Sequence, residues 1–236
     1  MKIMYRLLKK EVIKKALIAA LLFVGSMPSL LFAEEVQQEE SLPKVLIIGD
    51  SISLHYTPYV TESLKGKAIV KHHKGNAGPT MRGLANIEKW LGDTEWDVIH
   101  FNWGLWDIYG WPYYHIDRSP AMYKKRLEQL VTRLKKTGAK LIWATTTPVC
   151  PAPERTMIKQ HKKEIVILAD TEKEYLDAAQ EVMEKFSVRI NDLHSFMKDK
   201  RSKYALADND VHYTAEGRKL QGEQVAKQIT AALNHD

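Results

Sequence analysis

The chain is poor in cysteine and has no loop built to cradle phosphate. Of its 236 residues only Cys150 is a cysteine, so it can form neither an internal disulfide nor a cysteine-rich metal site. Cys150 lies between Pro148-Val149 and Pro151 with no base beside it in sequence, which suits a buried or bystander thiol. No Gly-x-x-x-x-Gly-Lys pattern occurs, and the glycine-bearing stretch 75–83 lacks the lysine such a loop needs. There is no internal repeat and no low-complexity tract. The apolar stretch 16–33 is short for a membrane span and is broken by Gly25, Ser26 and Pro28.

That stretch comes after Lys2, Arg6, Lys9, Lys10, Lys14 and Lys15. Together they read as a secretory signal over residues 1–33, cleaved after Ala33, with Leu31 larger than the usual residue at the −3 position. The expected destination is the periplasm or the extracellular space, with no stable span left once the signal is removed. The formal net charge of +6 arises mostly here, since the segment holds six basic residues and one acidic residue, Glu11. The chain from Glu34 onward is nearly neutral and has no basic stripe interleaved with aromatics, so nucleic acid is not an expected partner.

Residues 34–43 are polar and acidic and read as a disordered lead-in. Residues 44–236 suit one domain and are enough for a three-layer core. Strand patterns fall at 45–48, 68–72, 98–102, 140–145 and 188–190. Helical patterns fall at 54–64, 80–91, 120–136, 171–186 and 215–233. Alternation of this kind implies parallel strands joined by right-handed crossovers. The basic run 159–163 reads as a solvated face.

The chemistry concentrates at the strand ends. Val45-Leu46-Ile47-Ile48 stops abruptly in Gly49-Asp50-Ser51, which puts a hydroxyl on a strand-to-helix turn, at the sheet edge where open α/β folds place their sites. A serine needs a base to become a nucleophile, and the competing role for Ser51 is a helix N-cap. His212, in Asp208-Asn209-Asp210-Val211-His212, precedes the last helix and is the expected base. His55 lies four residues after Ser51. His72 and His73 adjoin each other and on a strand would face opposite ways, so no metal site is expected there. His100 reads as an interior residue.

Four blocks in this order resemble the GDSL, or SGNH, hydrolase family across the domain: Gly49-Asp50-Ser51-Ile52, Gly75-Asn76-Ala77-Gly78-Pro79-Thr80, Gly104-Leu105-Trp106-Asp107 and Asn209-Asp210-Val211-His212. The resemblance implies a flavodoxin-like three-layer α/β/α fold with a five-stranded parallel sheet. It also implies a serine esterase that needs no cofactor or metal, with Ser51 as nucleophile and His212 as base. The oxyanion donors it implies are the N–H groups of Ser51 and Gly78 with a side chain. Trp106 fills the slot where the family has asparagine, so Asn102 is the alternative carboxamide. Asn209 fills the slot of the family's histidine-orienting aspartate. Asp208 is the favoured carboxylate, with the side chain of Asp210 expected to point away from His212. A Ser-His dyad leaning on a backbone carbonyl is the other arrangement. Asp107 is expected to have a structural part, holding the glycine block loop or the helix after it.

Half of the segment 103–114 is aromatic. Trp103, Trp111 and Tyr113 are candidate substrate contacts, since aromatic faces suit the C–H faces of sugars and polar tips reach hydroxyls. The alternative is a loop packed on the sheet as a satellite core. The expected substrate is an O-acyl, in particular O-acetyl, ester on a carbohydrate. The alternatives are a lipid ester or thioester, and a degenerate domain that binds glycans without turnover.

Overall fold

The computed structural model describes residues 41–109, 115–149, 155–160, 163–208 and 210–234. The chain divides into Met1–Leu42 and Pro43–Asp236, and the strands and helices among the described residues lie in the second unit. The signal segment, Cys150, Trp111, Tyr113, Tyr114 and Asn209 lie outside the described residues.

In chain order the elements begin with β1 (Lys44–Ile48), α1 (Ser51–Ser63), β2 (Ile69–His72), α2 (Thr80–Leu91), β3 (Val98–Phe101), α3 (Leu105–Tyr109), α4 (Pro120–Lys135) and β4 (Lys140–Ala144). They continue with β5 (Arg155–Gln160), β6 (Lys163–Leu168), α5 (Ala169–Lys185), β7 (Arg189–Asn191), α6 (Leu193–Lys198), α7 (Arg201–Tyr204) and α8 (Ala215–Asn234).

Five strands form one all-parallel sheet in the order β2-β1-β3-β4-β7. With helices on both faces, this is the three-layer α/β/α architecture that the alternating pattern implies, and the strand order is that of the flavodoxin-like fold. α1 packs on α8, while α4 packs on both α2 and α5. β1 and β3 are buried along nearly their whole length, with Val45, Ile47, Ile48, Val98, Ile99 and Phe101 fully enclosed. Strands covered on both faces read as unbroken apolar runs for that reason.

Local chemistry sets the helix ends. Ser119 caps α4 by accepting from the Met122 N–H, and Pro120 occupies its first turn, where the missing proline N–H costs nothing. Tyr123, Leu127, Leu130, Val131 and Leu134 form the buried stripe of α4, and Gly138 turns the chain toward β4 at φ +77°.

β5 and β6 form an antiparallel hairpin, Arg155 opposite Leu168. The expectation of a solvated face at 159–163 gave no hint of it. The intervening His161-Lys162 is not a turn signal of the Asn-Gly or Gly-Gly kind, so the pairing had no local marker.

Candidate active site

The β1–α1 turn sets the position of Ser51. Asp50 caps the helix, its Oδ1 accepting from the Ile52 N–H at 2.9 Å. Because Asp50 takes the cap, Ser51 becomes the first helical residue, and its hydroxyl meets His212 Nε2 at 2.9 Å. Gly49 allows the turn to close: a Cβ there would lie 2.7 Å from Ser53 Oγ.

On the other side of the imidazole, His212 Nδ1 lies 2.7 Å from Asp210 Oδ1. A carboxylate only accepts, so Nδ1 carries the proton and the Nε2 lone pair faces Ser51. The chain therefore brings Ser51, His212 and Asp210 into one relay at the C-terminal edge of the sheet. This corrects the preference for Asp208. Residues two apart in an extended segment share a face, and this segment is also tightened into a turn by Asp210 N donating to Ala207 O at 3.1 Å. The same Asp210 oxygen accepts from the His212 backbone N–H at 2.9 Å. Asp208 is exposed, and its backbone carbonyl accepts from Arg201 at 3.2 Å.

Arg201 was not singled out in the sequence. It is 3% exposed, and its guanidinium donates to the carbonyls of Pro148, Asp208 and Asp210 at 3.1, 3.2 and 2.8 Å. The planar fork ties the loop bearing Asp210 to the end of the β4 segment. Pairing of Ala205 with Tyr213, and the Leu206 N–H to His212 O bond of 3.0 Å, close the same loop. A lone arginine carries no sequence signal for this part.

Two more titratable groups lie beside the relay. Burial raises the Asp50 carboxyl above its ordinary range, and backbone donors and His212 oppose the shift. The His55 ring sits edge-on to His212 with centroids 5.4 Å apart. Burial, helped by Arg218 and His212, lowers the pKa of His55.

The expected oxyanion donors separate. The Ser51 N–H is the first of α1 and has no partner in the helix ladder. The Gly78 N–H donates to Asn76 Oδ1 at 2.8 Å, so it must exchange that bond to serve a substrate. The loop itself is anchored beside Ser51, with Ala77 N donating to Gly49 O at 2.9 Å. Asn102 is committed elsewhere: its Nδ2 donates to the Ala144 carbonyl at 2.7 Å and approaches Thr146 Oγ1 at 3.4 Å. The ends of β3 and β4 converge here, and a Cβ on Gly104 would lie 2.2 Å from Thr146 Oγ1. Trp106 is half-buried against the core.

Trp103 is also corrected. It is 1% exposed, and it lies against α2 where Gly83 leaves room, since a Cβ there would meet its ring at 2.8 Å. This tryptophan is core, as the satellite-core alternative held for that end of the segment. Asp107 is fully buried and accepts from the Thr80 N–H at 2.9 Å and the Thr80 hydroxyl at 2.6 Å. It thereby ties α3 to the start of α2 and the glycine block. Burial pushes its pKa up to about 6.

Among the described residues no group of three or more His, Cys, Asp or Glu is placed to hold a metal ion. A cavity of about 660 Å³ lies beyond the ends of β4 and β7, lined by Trp143, Thr145, Glu172 and His194 but by none of Ser51, Asp210 and His212.

No family model matches the chain, and no curated protein matches it. Solved structures do. An acetyl xylan esterase superposes with a TM-score of 0.64 at 15% identity, over 79% of this chain and 99% of its own. A lipase/acylhydrolase from Enterococcus faecalis superposes at 0.62 and 18% identity, over 80% and 96%. A catalytic mutant of an acetylxylan esterase from Geobacillus stearothermophilus gives 0.62 at 16%, over 79% and 94%. The chain has the fold of the GDSL/SGNH hydrolases, spanning nearly the full length of each of these neighbours.

Proposed function

We propose that the protein is an exported serine esterase that removes O-acetyl groups from a carbohydrate. The observation that carries the reading is the relay Ser51 Oγ–His212 Nε2 at 2.9 Å and His212 Nδ1–Asp210 Oδ1 at 2.7 Å, with its tautomer set by the carboxylate. In this reading Ser51 attacks the acyl carbon as His212 takes its proton, and the imidazolium is held by Asp210. His212 then returns the proton to the departing alcohol, and water attacks the acyl-enzyme by the same route. The Ser51 N–H, and Gly78 once released by Asn76, stabilise the oxyanion. The acetyl preference draws on the neighbours named as acetyl xylan esterases, and export on the signal-like residues 1–33.

Hydrolysis of p-nitrophenyl esters from acetyl to palmitoyl, compared with Ser51→Ala, tests the proposal. Acetyl-preferring turnover that disappears in the variant is expected. A steady rise toward palmitoyl would replace the carbohydrate reading with a lipid one, and equal background rates in both proteins would overturn the esterase reading.

A further inference from the structure

The cavity of about 660 Å³ beyond the ends of β4 and β7 is of the size that small ligands occupy. It opens at the same C-terminal edge of the sheet as Ser51. β4 lies two strands from β1 and β7 lies three, roughly 10–15 Å along that edge at the usual strand spacing. Pro148 in its wall is tied to the relay loop, since Arg201 bridges the carbonyls of Pro148 and Asp210.

The wall holds a built polar pair. Glu172, near the start of α5, is 6% exposed and has no lysine or arginine partner among the described residues. Its Oε1 accepts from the Val149 N–H at 2.9 Å and meets His194 Nε2 at 3.2 Å. The His194 backbone is fixed as well, its N–H donating to Thr145 Oγ1 at 2.7 Å. With the Nε2 proton given to the carboxylate, Nδ1 of the neutral ring is left as a lone pair. The His194 side chain is 20% exposed and lines the cavity, and Nδ1 is not among the buried polar atoms, so a ligand can reach it. Asp192 on the same wall is exposed. Its Oδ1 accepts from the Ser195 N–H at 3.0 Å and the Thr145 hydroxyl at 3.1 Å, which leaves Oδ2 uncommitted.

Leu176 and Ile190 add accessible apolar surface to the cavity. Its charges nearly balance, with Glu172, Asp177 and Asp192 against Lys173 and Lys198, and Lys173 pairs with Asp177. An anion would meet a slightly negative wall. An acyl chain would cover the imidazole and the Asp192 carboxylate without satisfying either, which is costly. A neutral sugar gives hydroxyl protons to both acceptors and lays its C–H groups on Leu176 and Ile190.

We infer that this cavity binds a neutral sugar residue, with hydroxyls donating to His194 Nδ1 and Asp192 Oδ2. Glu172 is a positioning residue that holds the imidazole in the accepting tautomer. The inference rests on the esterase reading only in making that sugar a part of the esterified glycan, held away from the bond that Ser51 attacks. The binding itself does not depend on turnover.

Titration calorimetry on the Ser51→Ala protein tests it with a neutral xylo-oligosaccharide and a uronate oligosaccharide. Saturable binding of the neutral probe, with the uronate much weaker, is expected. His194→Phe keeps the bulk of the ring but removes the acceptor, and should weaken neutral-probe binding by on the order of tenfold. Ile190→Glu alters an exposed position, leaves the core intact and sets a charge against the sugar's C–H face. It should weaken binding at least as much, and it serves as the test where His194→Phe fails to fold. Nitrogen-15 NMR should show His194 protonated at Nε2, with its Nδ1 resonance moving as the neutral probe saturates. Uronate binding as tight as the neutral probe's, no binding of either, binding unaltered in Ile190→Glu, or an Nδ1 resonance unmoved at saturation would overturn the inference. Loss of the esterase reading alone would appear as absent p-nitrophenyl acetate turnover in the Ser51 parent, with neutral-probe binding and its response to Ile190→Glu intact.

Discussion

One oxygen of Asp210 serves His212 twice, accepting from the ring Nδ1 at 2.7 Å and from the backbone N–H at 2.9 Å. The carboxylate thus fixes the backbone turn and the imidazole orientation together. Asp210→Asn should lower kcat on p-nitrophenyl acetate by on the order of 10⁴, the cost of losing the charge and tautomer control in a serine triad. Asp208→Asn should leave kcat close to wild type. The reverse ranking would remove Asp210 from the relay.

Arg201 gathers three backbone carbonyls around the loop that carries Asp210. It is a positioning residue, acting through Asp210 and His212. Arg201→Lys keeps the charge but loses the fork. It should lower kcat while leaving KM nearly unchanged, and cost about 1.5–3 kcal/mol of stability through the lost charge-assisted bonds. Unaltered kcat with lowered thermal stability would make the arginine structural only.

Asn102 spends its amide on the Ala144 carbonyl. Asn102→Ala should therefore cost stability of about 1 kcal/mol, read by urea unfolding, with turnover little altered. A fall in kcat of about 10²–10³, the signature of a lost oxyanion donor, would restore it to that role.

Asp107 is buried with a pKa of about 6 against an ordinary 3.8. A raised pKa means that the folded protein holds the proton more tightly than the unfolded chain. The stability this contributes is full below about pH 4 and is lost as pH rises through about 6. Measured relative to Asp107→Asn, which cannot titrate, wild-type unfolding free energy should fall by about 2–3 kcal/mol between pH 4 and 7, in line with a shift of roughly two pKa units. A difference between the two proteins that is flat with pH would refute this.

Much of the architecture was legible because its signals are local. The apolar run of β1, the stripe of α4 and the stop at Gly138 lie within a few residues of the elements they specify, and the five sheet strands were expected in order. The hairpin β5–β6 was not, since the sequence between its strands has no glycine or asparagine and, among the described residues, the two strands pair with each other and not with the sheet. Trp103 looked like part of an aromatic platform because composition alone cannot tell which way a side chain faces. The room left by Gly83, on α2, is what buries it.

Caps, turns and periodicity act over neighbouring residues, so the Gly49-Asp50-Ser51 turn and the place of His212 before the last helix could be read directly from the chain. The choice of carboxylate for the imidazole, and of the amide left available near the nucleophile, belongs to the folded molecule. Ser51 and His212 are 161 residues apart in the chain. Their partners depend on a loop closed by Arg201 and on an Asn102 amide drawn to β4. Contacts of that kind are selected by packing, which no local pattern records.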